Sequence, residues 1–208
     1  PCRDADKKRA KAVEDRKRLS ESAKDLAATL EKVTGGSIAV ITNAALLAGR
    51  TPVYVGAAAE RVFGPCGVSA PFRQGLRVIV DAKRGVGLYG ESDLAASYAV
   101  YTFLHGLGCR WFFPGVDGEY IPMQDVKPTK YHKMADCRYR GQCNEGAEYQ
   151  QCMLETIDFT PKIGMNTYML EFDNPYSYYN SYYSHKYNPE RRSEPVTRDT
   201  VLRWKRQC

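Results

Sequence analysis

Along the first part of the chain, apolar residues fall at helical steps. Leu19, Ala23, Leu26, Leu30 and Val33 recur every three or four positions until Thr34-Gly35-Gly36. That stripe predicts a helix with a glycine stop and one apolar face laid on a sheet. Upstream, Lys7, Lys8, Arg9, Lys11, Arg16, Lys17 and Arg18 alternate with Asp4, Asp6, Glu14 and Asp15. No apolar stripe accompanies them, so this stretch reads as the solvated part of a helix. The pattern then shortens to strand-length apolar runs at Ser37–Ile41, Pro52–Val55, Leu76–Val80 and Val86–Tyr89, punctuated by Gly49, Gly64-Pro65, Gly67 and Gly85. Glu91-Ser92-Asp93 next offer caps for a helix over Leu94–Leu107. Ala95, Ala96, Ala99, Val100, Phe103, Leu104 and Leu107 make it apolar on most sides, which requires burial. Gly106 and Gly108 end it, and Cys109–Phe113 is a short aromatic strand stopped by Pro114-Gly115.

Beyond a connector at Met123–Met134 the order becomes strand Cys137–Tyr139, helix Glu148–Ile163, strand Asn166–Phe172 and helix Thr197–Cys208. These are two β/α units. The fold class expected is therefore α/β: a layered mixed-sheet domain with flanking helices over residues 1–128, followed over residues 129–208 by the first two β/α units of a TIM barrel. A closed (β/α)₈ barrel takes about 250 residues, so residues 129–208 are expected to be an incomplete, truncated one.

The buried small-residue helix, its glycine stop, GCRWFFPG (Gly108 to Gly115) and GEYIP (Gly118 to Pro122) together resemble a particular domain. It is the non-catalytic, zincin-like accessory domain that precedes the barrel in α-glucuronidases and β-N-acetylhexosaminidases. These are glycoside hydrolase families 67 and 20, with family 84 and uncharacterised bacterial relatives. AKDLAATLEKVTGG (Ala23 to Gly36) is similar to the first helix of that domain, and PVYVG (Pro52 to Gly56) to its second strand. RYRG (Arg138 to Gly141), IDFTPKIGMNTYMLEF (Ile157 to Phe172) and YYSHKYNP (Tyr182 to Pro189) look like the opening of the bacterial group's barrel. The resemblance implies the amino-terminal part of a carbohydrate-degrading hydrolase acting on glucuronosyl or N-acetylhexosaminyl glycans. It implies no catalytic residue here, because in those families the catalytic acid lies at the end of a later barrel strand. The piece alone is thus expected to be inactive. The alternative is a non-catalytic module that binds carbohydrate or protein.

Charge and cysteines narrow this further. The net charge is +6, from 30 Lys and Arg against 24 Asp and Glu. The basic excess lacks interleaved aromatics or a reader motif, so nucleic acid is not an expected partner. No apolar run approaches the roughly 20 residues of a membrane span, which argues against a membrane partner. The cysteines, Cys2, Cys66, Cys109, Cys137, Cys143, Cys152 and Cys208, are odd in number and form no CxxC pair. They read as free thiols, which favours a reducing, cytoplasmic setting over a disulfide framework or a zinc ribbon. The chain opens at Pro1 without an initiating methionine, which is compatible with an export signal upstream. No HExxH is present for a zinc protease, and neither a metal nor a cofactor is called for.

The candidate site follows from barrel geometry, which places chemistry at the carboxyl ends of the strands. Arg140, read as closing the first strand, resembles the arginine that grips sugar hydroxyls in hexosaminidases; its planar fork suits paired hydrogen bonds. Arg138 is one alternation away, and a structural ion pair is the competing role. Glu145, in the QCNEG loop, offers a carboxylate to hydroxyls, with a solvated loop charge as the competing and favoured role. Glu171 and Asp173 close the second strand and share a side by alternation. Tyr178 and Tyr182, in the tyrosine-rich loop that follows, offer flat faces for pyranose rings, the rival reading being that this loop packs against the accessory domain. His185 stands in the SHKYNP context of the resemblance, without a metal partner nearby. The partners expected are an oligosaccharide or glycan and the remainder of the chain's own barrel.

Overall fold

A computed structural model describes residues 2–47, 49–123, 125–127, 129–142 and 150–168. Helix α1 runs from Cys2 to Thr34 and stops where Gly35 turns at φ +68°. The charged first half is exposed and the apolar stripe of the second half is buried, with Leu26, Leu30 and Val33 in the main core. Strand β1 (Val53–Val55) is followed by a short helix α2 (Ala57–Phe63). Strands β2 (Leu76–Asp81) and β3 (Gly85–Gly90) form a hairpin, and helix α3 (Asp93–Gly106) leaves from its end. A two-residue pairing of β4 (Arg110–Trp111) with β5 (Glu119–Tyr120) follows, then β6 (Thr129–Lys133). The described part ends with β7 (Gly141–Gln142), helix α4 (Gln150–Lys162) and β8 (Thr167–Tyr168).

The main sheet has the order β1-β3-β2-β6 and is mixed: β1 is parallel to β3, whereas β2 is antiparallel to both β3 and β6. Helix α3 packs on β2 and β3, and α2 covers β3 on the opposite face. The class is α/β, as the sequence pattern predicts, and no closed barrel occurs among the described residues. Ser92 caps α3, its hydroxyl accepting from Ala95 N at 3.1 Å. Glu91 takes another role, accepting from the amides of Ala70 (3.0 Å) and Gly75 (2.8 Å) and so pinning the loop before β2.

Four expectations change. Helix α1 lies against α3 and not flat on the sheet, because α3 already occupies that face. Ser37–Ile41 is irregular, with mostly exposed residues and no ladder partner. The connector instead supplies β6, which completes the open edge of β2. Of the aromatic run, Trp111 is buried but Phe112 and Phe113 are 68 % and 52 % exposed, since strand pairing stops before them. Cys66 and Cys109, both buried, and the exposed Cys137 are free thiols, in line with the sequence reading.

The strand–helix–strand segment at the end is a parallel unit, with Gly141 opposite Thr167 and Gln142 opposite Tyr168. It docks on the first domain through α4, whose Phe159 is buried in the main core. The ring Nε2 of His105 lies 2.8 Å from Lys162 O. Glu119 gathers Trp111 Nε1 (3.1 Å), Lys32 Nζ (3.2 Å) and Lys162 Nζ (3.8 Å), tying the β4–β5 turn to α1 and α4. The first strand of this unit begins at Gly141, later than the predicted Cys137–Tyr139.

Candidate functional site

The late start of β7 changes the meaning of Arg140. It stands immediately before the strand, at its amino end, whereas barrel logic needs residues after the carboxyl end. Its backbone opens the parallel ladder: the carbonyl accepts from Asn166 N (2.8 Å) and Thr167 N (2.9 Å), and the amide donates to Asn166 Oδ1 (2.8 Å). The guanidinium is used as a clamp. Nε donates to Gly164 O at 2.8 Å, and Nη1 donates to Cys137 O at 2.6 Å and to Gln74 Oε1 at 2.7 Å. Its plane lies over the Tyr98 ring, 5.3 Å from the centroid. The contacts to Gln74 and Tyr98 link the β7–β8 unit to the first domain. The described partners of its guanidinium are neutral oxygens and a ring, not the carboxylate of an ion pair.

Glu145, Glu171, Asp173, Tyr178, Tyr182 and His185 lie outside the described residues. Among the described residues no cluster of His, Cys, Asp and Glu could hold a metal ion.

On the amino side of the same two strands the structure opens a cleft of about 410 Å³. One wall is the polar face of α1, where Lys7, Lys11, Glu14 and Arg18 recur at helical spacing, with Asp15 beside them. The other wall is Arg138, Tyr139, Asn166 and Gln74. Two amides fix this second wall: Gln74 Nε2 (3.2 Å) and Asn166 Nδ2 (2.9 Å) both donate to Arg138 O. The Arg138 guanidinium lies 5.2 Å from the centre of the Tyr139 ring. Burial pushes the Asp15 carboxyl up from its ordinary range, partly offset by Lys11 and Arg18.

Tyr98 stands behind the cleft. It is only 5 % exposed and belongs to the main core. Desolvation pushes the phenol up, while the positive charges of Arg140 and Arg18 and side-chain hydrogen bonding with Asn166 and Arg18 pull it back in part. Sequence reading missed Gln74, Asn166 and this face of α1. The four-residue step from Lys7 to Lys11 and the seven-residue step to Arg18 were the available signal, since they place all three on one helix face.

No protein-family model, curated protein or solved structure matches the chain.

Proposed function

We propose that this chain is the amino-terminal part of a glycoside hydrolase. In this reading a non-catalytic α/β accessory domain carries the opening of a catalytic barrel, and the substrates are glucuronosyl or N-acetylhexosaminyl glycans. One observation carries the most weight beside the GCRWFFPG and RYRG likeness: a parallel strand–helix–strand unit, β7-α4-β8, directly follows a mixed-sheet layer and is docked onto it through α4 and Arg140. A parallel β/α repeat is the building unit of such barrels. The glycan-facing groups are those after the strands, Glu145, Glu171, Asp173, Tyr178, Tyr182 and His185. Arg140 serves as the clamp that aligns the two strands with the accessory domain and is not assigned to the sugar.

The test is an amide-shift titration of the full chain with glucuronic acid and with N-acetylglucosamine. Shifts are expected beyond Gln142 and beyond Tyr168, and they should disappear in Glu171→Ala/Asp173→Ala. Shifts confined to Gly90–Gly108, or binding indifferent to the double substitution, would remove the glycan reading.

A further inference from the structure

The cleft on the amino side of β7 and β8 has no part in that reading, because it opens opposite the strand ends where a barrel holds its substrate. We propose that it is a separate binding site for a small molecule bearing an oxyanion, a carboxylate or a phosphate, gripped by Lys11, Arg18 and Arg138.

Size comes first. A volume of about 410 Å³ falls within the ~300–1,000 Å³ of small-molecule sites. Charge comes second: Lys7, Lys11, Arg18 and Arg138 face it, against Glu14 and Asp15. Among the described residues none of these cations forms a salt bridge; the α1 ion pairs within 4.0 Å use Arg16, Lys17 and Lys32 instead. Like charges gathered around a concavity raise the local concentration of an anion. Arg18 and Arg138 add planar donor forks suited to two oxygens of one ligand group.

Preorganisation comes third. Arg138 projects from a backbone whose carbonyl is held by both Gln74 and Asn166, and those amides are held in turn by Arg140. The wall is therefore set before a ligand arrives, which lowers the ordering cost of binding.

The experiment is a titration of the full chain at low ionic strength with inorganic phosphate and, separately, with malonate, followed by backbone amide shifts. Saturable shifts are expected at residues 11–18, 74, 138–139 and 166, with glucose giving none there. Which of the two anions binds more tightly identifies the ligand group. Arg18→Ala and Arg138→Ala should each weaken binding about tenfold, as loss of a charge-assisted bond does. Lys24→Ala, exposed on α1 and outside the cleft, should leave it unchanged. The proposal is overturned by the absence of saturable shifts with both anions, by wild-type affinity in Arg18→Ala and Arg138→Ala, or by equal weakening in Lys24→Ala. Shifts found only beyond Gln142 and Tyr168 would overturn this site and leave the glycan reading standing.

Discussion

Single residues show most directly how the α1–α3 contact is made. Tyr101 donates to Asp25 Oδ2 at 2.7 Å across that interface, next to buried Ser22 and Leu26. Burial raises the Asp25 carboxyl above its ordinary 3.8, and the Tyr101 hydrogen bond and Lys162 pull it back only in part; Asp158 and Glu119 push the same way as burial. The folded state thus binds this proton more tightly than the unfolded chain does. The contribution to stability is fully present below the unfolded value and is lost as pH rises through the folded one. Asparagine at this position keeps the acceptor for Tyr101 and carries no charge. The melting-temperature difference between Asp25→Asn and the parent should accordingly be small near pH 3 and grow in favour of the variant towards pH 7. A difference that shrinks over that range would contradict the assignment. Asp81 is the opposite case: backbone amides of Arg84 and Lys83 and the Arg84 side chain hold it down at about 2.

At the scale of elements, legibility followed the strength of each element's own pattern. The stripe of α1, the apolar run of α3 and the hairpin β2–β3 were readable because burial on defined faces imposes a period on the sequence. β6 was not readable: TKYHK turns only Tyr131 inward, and it becomes a strand because β2 offers an unpaired edge. Helix α2 is seven residues long, too short for a periodic signal, and is fixed by where Phe63 packs. That packing is tight at Gly87 on β3. A Cβ there would lie 2.6 Å from Phe63 Cδ2 and 2.8 Å from Cε2, inside any ordinary contact. Alanine is favoured over glycine in a strand by roughly 0.5–1 kcal/mol, whereas overpacking costs about 1–3 kcal/mol, so the steric effect wins. Gly87→Ala should lower the denaturation midpoint, and Phe63→Leu in the same chain should recover part of the loss. Additive losses in the double-mutant cycle would show that the two positions do not meet.

For the whole molecule, the question is how the β7-α4-β8 unit is joined to the layers before it. The main core runs continuously from α1 through α3 to β2 and β3, and Phe159 is the buried α4 residue within it. Ile163 packs against the same core, and the rest of the described junction is polar: His105 to Lys162, Glu119 to Lys162, and Arg140 to Gln74 and Tyr98. The sequence suggested a unit here but set its first strand too early. The RYRG segment is apolar enough for a strand only at Tyr139, and Arg140 is assigned by likeness while its partners Gln74 and Gly164 lie 66 and 24 residues away. Segments held by few apolar contacts open at lower free energy than the core. Amide exchange should therefore be slowest in β2, β3 and α3 and faster in Gly141–Gln142 and Thr167–Tyr168. Arg140→Lys sharpens the test, because one ammonium cannot span Gly164, Cys137 and Gln74 or lie flat on Tyr98. With several guanidinium hydrogen bonds lost, protection of β7 and β8 should drop at least about tenfold, or ~1.4 kcal/mol, while β2, β3 and α3 exchange as before. An equal drop throughout would mean that the unit and the sheet open together, and that Arg140 stabilises the fold as a whole without acting as the hinge between its parts.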